Sequence, residues 1–92
     1  MVTMYMKKCI SDSMKARGWA VYKEGTIYYL HFDSGSHHSD IAEVVITEDD
    51  YYQIDSRGSV AVREIIHKFP RDPSFRFIPW PELVEIEKFN QL

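Results

Sequence analysis

The sequence predicts an α+β fold: an N-terminal helix, a three- to four-stranded antiparallel sheet, a helix packed on one sheet face, and a proline-hinged C-terminal tail with a short helix or strand. Three observations carry this. The stretch Trp19 to Phe32 is rich in β-branched and aromatic residues around Glu24-Gly25, the signature of a hairpin whose bend needs a residue tolerant of positive φ. Val62, Ile65, Ile66 and Phe69 recur at i, i+3, i+4 and i+7, which puts them on one side of a helix. The 92 residues with 45% hydrophobic content fit one domain over 1–92, with the modest core such a length allows.

Taken in order, Met4 to Ala16 reads as the first helix, with Met6, Cys9 or Ile10, Ser13 and Met14 on one face. Lys15 and Arg17 suit its negative end, and Gly18 stands where a left-handed cap belongs. In the hairpin, pairing Trp19 with Leu30 and Val21 with Tyr28 gives a core face of Trp19, Val21, Tyr28, Leu30 and Phe32. The other face carries Ala20, Tyr22, Ile27, Tyr29 and His31. Asp33 to Asp40 has a loop's composition, and Ile41 to Glu48 reads as a third strand with Ala42, Val44 and Ile46 sharing a face. Glu48-Asp49-Asp50 reads as a turn and Tyr51 to Ile54 as a short fourth strand, with Tyr52 and Ile54 inward. Ser59 is the expected N-cap of the second helix, and Pro70 its stop. Arg71 to Pro79 reads as extended. Pro81 and Glu82 suit a helix start, although Val84, Ile86 and Lys88 alternate equally well as a strand.

Charge placement is the unusual feature. From Glu24 to Asp55, 32 residues hold eight acids and no Lys or Arg, in a chain with 11 basic residues and a net charge of −3. Basic residues gather outside this run, Lys7, Lys8, Lys15 and Arg17 before it and Arg57, Arg63, Lys68, Arg71 and Arg76 after it. A pI near 5.7 argues against direct nucleic-acid binding. No apolar run reaches the roughly 20 residues of a membrane span. Cys9 is the single cysteine, so no internal disulfide forms and a reducing, cytoplasmic home is expected.

The order helix, hairpin, strand, helix resembles that of double-stranded-RNA-binding domains and HicA-type toxins, and Arg17-Gly18-Trp19 resembles the helix-to-strand junction of the latter. Thr26 and Ile27 stand where those toxins carry a histidine, and the sheet region is acidic. The resemblance is one of topology and transfers no residue.

The functional expectation is a small binding protein, not an enzyme and without a cofactor. An acidic, tyrosine-bearing sheet face would block a basic surface of another protein, with Glu43, Glu48, Asp49, Asp50 and Asp55 supplying charge and Tyr22, Tyr29 and Tyr51 supplying contact. An inhibitor or immunity-type protein of the kind phage and mobile elements encode, aimed at a nuclease or other nucleic-acid-handling enzyme, is the economical form, and a homodimer through the tyrosines is a further option. The alternative is a small metal-dependent, nuclease-like enzyme centred on His31, Asp33, His37, His38 and Asp40, whose imidazole and carboxylate groups suit zinc or another divalent metal.

Overall fold

The computed structural model describes residues 7–33, 41–68 and 73–91. In chain order it contains β1 (Lys8–Ser13), α1 (Met14–Arg17), β2 (Trp19–Glu24), β3 (Ile27–Asp33), β4 (Ile41–Ile46), α2 (Glu48–Arg57), α3 (Ser59–Lys68), β5 (Arg76–Phe77) and α4 (Trp80–Asn90). The strands form one antiparallel sheet of five in the order β1-β2-β3-β4-β5. The α+β class is as expected; the order of its elements is not.

The first correction is the N-terminal helix. Lys8 to Ser13 is an edge strand, and only Met14 to Arg17 is helical; Met4 and Met6 lie outside the described residues. The cause is a bulge: Cys9 pairs with Tyr22 and Ser11 with Val21, leaving Ile10 unpaired between them. The extra residue breaks the period-two alternation of a strand, so Cys9 and Asp12, three apart, share a face as they would on a helix. Gly18 does form the left-handed cap, at φ 80°, with its N–H donating to Met14 O at 3.0 Å. With a strand first among the described residues, the topological likeness to double-stranded-RNA-binding domains and HicA-type toxins is not upheld.

The hairpin forms with its expected faces and a different register. Glu24 pairs with Ile27, Val21 with Leu30 and Trp19 with Phe32, a shift of two residues from the pairing expected. A shift of two keeps every side chain on its own face, because successive side chains alternate. Trp19, Val21, Tyr28, Leu30 and Phe32 are all buried, joined from β4 by Ala42, Val44 and Ile46.

The second correction is the proposed fourth strand. Tyr51 to Ile54 belongs to α2, a helix of ten residues. Thr47 and Asp50 start it with a capping box: Thr47 Oγ1 accepts from Asp50 N at 3.0 Å, and Asp50 Oδ2 accepts from Thr47 N at 3.1 Å. Glu48, Asp49 and Asp50 thus occupy the first turn, where carboxylates favour the positive end of the helix. Helical spacing then turns Tyr51 and Ile54 inward and sends Tyr52 out, the reverse of the strand reading for the two tyrosines.

Helix α3 docks as expected, with Ala61 and Val62 in the core and Ile65 and Ile66 packed against it. Phe69 and Pro70 lie outside the described residues. Ser59 is the first residue of α3, and its Oγ accepts from Trp19 Nε1 at 2.9 Å, tying the α2–α3 corner to the sheet. The tail supplies β5 on the free side of β4, then α4, which resolves the ambiguity over Val84 to Lys88 in favour of helix. Helices α2 and α3 cover the core face of the sheet, and α4 lies over part of the other. No helix among the described residues is long and apolar enough to cross a membrane.

Candidate functional site

The residues proposed for partner binding divide between two places. Tyr22, Tyr29 and Glu43 sit on the outer sheet face, where cross-strand pairing sets them in two rows: Cys9, Tyr22, Tyr29 and Val45, then Asp12, Ala20, His31, Glu43 and Arg76. Glu48, Asp49, Asp50, Tyr51 and Asp55 all lie on α2, in the opposite layer.

Glu43 is only 3% exposed and is the centre of a charge network. Its Oε2 accepts from Lys7 Nζ at 2.6 Å and from His31 Nε2–H at 2.8 Å, and its Oε1 accepts from Arg76 Nε at 2.9 Å. Arg76 continues through both terminal nitrogens to Glu82 in the first turn of α4. Lys7 lies 4.2 Å from the centre of the Tyr29 ring and 3.8 Å from Glu82. Two cations, two carboxylates and an imidazole therefore close a cluster that is dry at Glu43, Lys7 and His31 and open to solvent at Arg76, and every buried side-chain polar atom among the described residues has a partner. Such a cluster adds little net stability over an apolar packing of the same volume, since desolvating the ions offsets most of their attraction.

Helix α4 completes this face. The Asn90 side-chain amide donates to Lys7 O at 2.9 Å and accepts from Cys9 N at 2.7 Å. Those are the two bonds that a parallel neighbour would make, so Asn90 blocks the free edge of the sheet at that point. Beside it, a cavity of about 650 Å³ is lined by Cys9, Tyr22, His31, Leu83, Glu87 and Asn90 among others. Burial, with Asp12 nearby, pushes the Cys9 thiol up, and burial with surrounding negative charge holds the Tyr22 phenol at about 12. Both stay protonated at neutral pH, and neither is an activated nucleophile.

Burial lowers the His31 pKa, against the pull of Glu43, so its imidazole is neutral. Burial would raise Glu43, but the hydrogen bond from His31 and the hydrogen bond and charge of Lys7 outweigh it and hold the carboxyl at about 2. The sign for stability is the same for both. The unfolded chain takes up a proton on His31 near pH 6.5 and on Glu43 near pH 4.5, in each case before the native state does. Stability is expected to fall from pH 6.5 downward, and more steeply from 4.5 towards 2, at up to about 1.4 kcal/mol per pH unit for each proton. Urea midpoints measured from pH 7 to 2 check this, and a flat profile between 7 and 5 contradicts the His31 part.

Of the alternative metal set, His31 is committed to Glu43 and Asp33 is exposed at the end of β3; His37, His38 and Asp40 lie outside the described residues. Among the described residues no group of three or more His, Cys, Asp and Glu is placed to hold a metal ion.

Comparison with protein-family models, curated proteins and solved structures finds no match to this chain.

On α2 the acids remain at the surface. Glu48, Asp49 and Asp55 are exposed, and Asp50 is half-buried by its capping role. Among the described residues no lysine or arginine forms an ion pair with any of the four. Tyr51 stacks inward on Tyr28, with ring centres 5.2 Å apart. Tyr52 is 54% exposed and donates to Glu48 Oε2 at 3.3 Å. With Asp55 it forms a stripe at i, i+4 and i+7 along the helix. Tyr52 is the surface residue that the strand reading concealed, and the spacing Thr47-x-x-Asp50 was the signal that could have revealed it.

Proposed function

We propose that the protein binds another protein, and that its recognition element is helix α2, offering Glu48, Asp49, Asp55 and the ring of Tyr52 to a basic surface. The observation that carries this reading is the stripe of exposed, unbridged carboxylates around an exposed tyrosine. Carboxylates of one sign speed association with a basic partner, and a rigid aromatic ring supplies contact at small entropic cost. The acidic surface lies on a helix, not on the sheet face, because Glu43 is drawn inside by Lys7, His31 and Arg76. An inhibitor that sets carboxylates into the phosphate sites of a nucleic-acid-handling enzyme is the form this reading takes.

The test is affinity capture with the full chain and with the triple variant Glu48→Lys/Asp49→Lys/Asp55→Lys. These three side chains are exposed and outside the capping box, so the variant is expected to fold. A basic partner should be retained at low ionic strength and released near 1 M salt, where the screening length is about 3 Å. Its affinity for the triple variant should fall about a hundredfold, mostly in association rate. A partner held equally well by the reversed helix defeats the proposal.

A further inference from the structure

A second feature lies at the other end of α2 and goes beyond the reading above. A cleft of about 640 Å³ opens where the ends of α1 and β3 meet the α2–α3 corner. Its rim carries Arg17, Arg57 and Arg63, three of the five arginines in the chain, and no lysine. They come from three separate elements, α1, α2 and α3, so no single helical face explains their convergence. Arg57 is held by a two-pronged bond to Glu64, at 3.0 and 2.6 Å. Arg17 and Arg63 are exposed, and neither forms an ion pair among the described residues. Asp33 brings one carboxylate to the rim, and with Glu64 counted as well the balance stays positive by one.

We propose that this cleft binds the phosphate group of a small phosphorylated molecule. Guanidinium forks match phosphate oxygens in pairs, and Arg17 and Arg63, which form no ion pair among the described residues, have their forks available for an anion. The walls are fixed before any ligand arrives, because the Trp19 Nε1–Ser59 Oγ bond clamps the sheet to the corner. Trp19 is 6% exposed and Phe32 3%, so the floor offers no ring for a base to stack on, and recognition centres on the phosphate. The volume falls in the ordinary range of small-molecule sites. A nucleic-acid strand fits less well: a polyanion needs a continuing basic track, and here Asp33 interrupts the rim, Glu64 holds Arg57, and no lysine extends the lining.

Titration of the ¹⁵N-labelled protein with inorganic pyrophosphate, ADP and a single-stranded oligonucleotide tests this. Pyrophosphate or ADP should shift the amides of Gly18, Gly58 and Ser59 saturably at millimolar concentration or below. Arg17→Ala and Arg63→Ala should each weaken that binding about tenfold or more, and Arg63→Lys should recover only part of it, while Lys15→Ala changes nothing. Both arginines are exposed, so the variants keep the fold, which their spectra report directly. No saturable shift with either small anion, binding confined to the oligonucleotide, or equal weakening by Lys15→Ala overturns the proposal.

Discussion

Glu43→Gln should cost about 3–5 kcal/mol, the range seen when one partner of a buried ion pair is removed. The substitution keeps the shape of the side chain and removes its charge. Lys7 Nζ, Arg76 Nε and His31 Nε2–H then all face an amide that accepts through one oxygen and offers a donor where a second acceptor stood. Lys7 suffers most, because its side chain is only 7% exposed and Glu82, at 3.8 Å, is too distant to hydrogen-bond in place of Glu43. Arg76 suffers less, since its side chain is 40% exposed and keeps Glu82. For a chain of this length, total stability is about 5–14 kcal/mol. At about 4–8 °C per kcal/mol, Tm should drop by roughly 12–40 °C. Thermal and urea unfolding measure it. Replacing the three buried members together, as Lys7→Met/His31→Leu/Glu43→Leu, should cost less than Glu43→Gln alone, because it removes the desolvated polar groups along with their attraction and leaves Arg76 paired with Glu82. A Glu43→Gln protein within 1 kcal/mol of the parent would mean that water reaches the cluster, and the account of it as a dry centre fails.

What was legible in the sequence was whatever depends on local period. The two faces of β2 and β3 follow from alternation alone, which is why they survive a register displaced by two residues. The face of α3 follows from i, i+3, i+4 spacing in the same way. What misled was local period interrupted or outvoted. One extra residue at Ile10 made a strand look helical, and the β propensity of Tyr51-Tyr52 outweighed a capping signal at Thr47 and Asp50 that fixes the helix. Propensity of that kind is a weak prior, readily overridden by caps and packing. The charge network was illegible for a different reason. Lys7 and Arg76 reach Glu43 across 36 and 33 residues, and nothing in the neighbourhood of Glu43 announces either. The 32-residue acidic run was therefore real as composition but not as a surface: folding took Glu43 inside and left Glu48, Asp49 and Asp55 outside.

Ile86→Ala is the second large effect. Ile86 is fully buried yet stands apart from the main core, on the helix that covers the outer sheet face. Truncating it should cost about 2–5 kcal/mol through lost burial and the cavity left behind. The loss should not be uniform. Helix α4 is held to the sheet by Ile86, by Glu82 through Arg76, and by Asn90 at the edge of β1. Hydrogen exchange should therefore quicken first in α4 and at the Cys9 amide, while the amides of Leu30 and Val44 keep the protection of the whole fold. Because the apolar and ionic contacts secure the same helix, Ile86→Ala and Glu43→Gln should fall short of additivity by 0.5 kcal/mol or more, about the smallest coupling expected of neighbouring sites. Strict additivity would show that α4 and the charge cluster are independent. Partner capture by α2 gives a cross-check on the division of labour. At temperatures where Ile86→Ala remains folded, capture should persist, because α2 lies in the opposite layer. The charge-reversed α2 should show the complementary behaviour, capture lost with a smaller fall in Tm than Glu43→Gln produces, since reversing Glu48 and Asp49 in the first turn of the helix costs about 1 kcal/mol each.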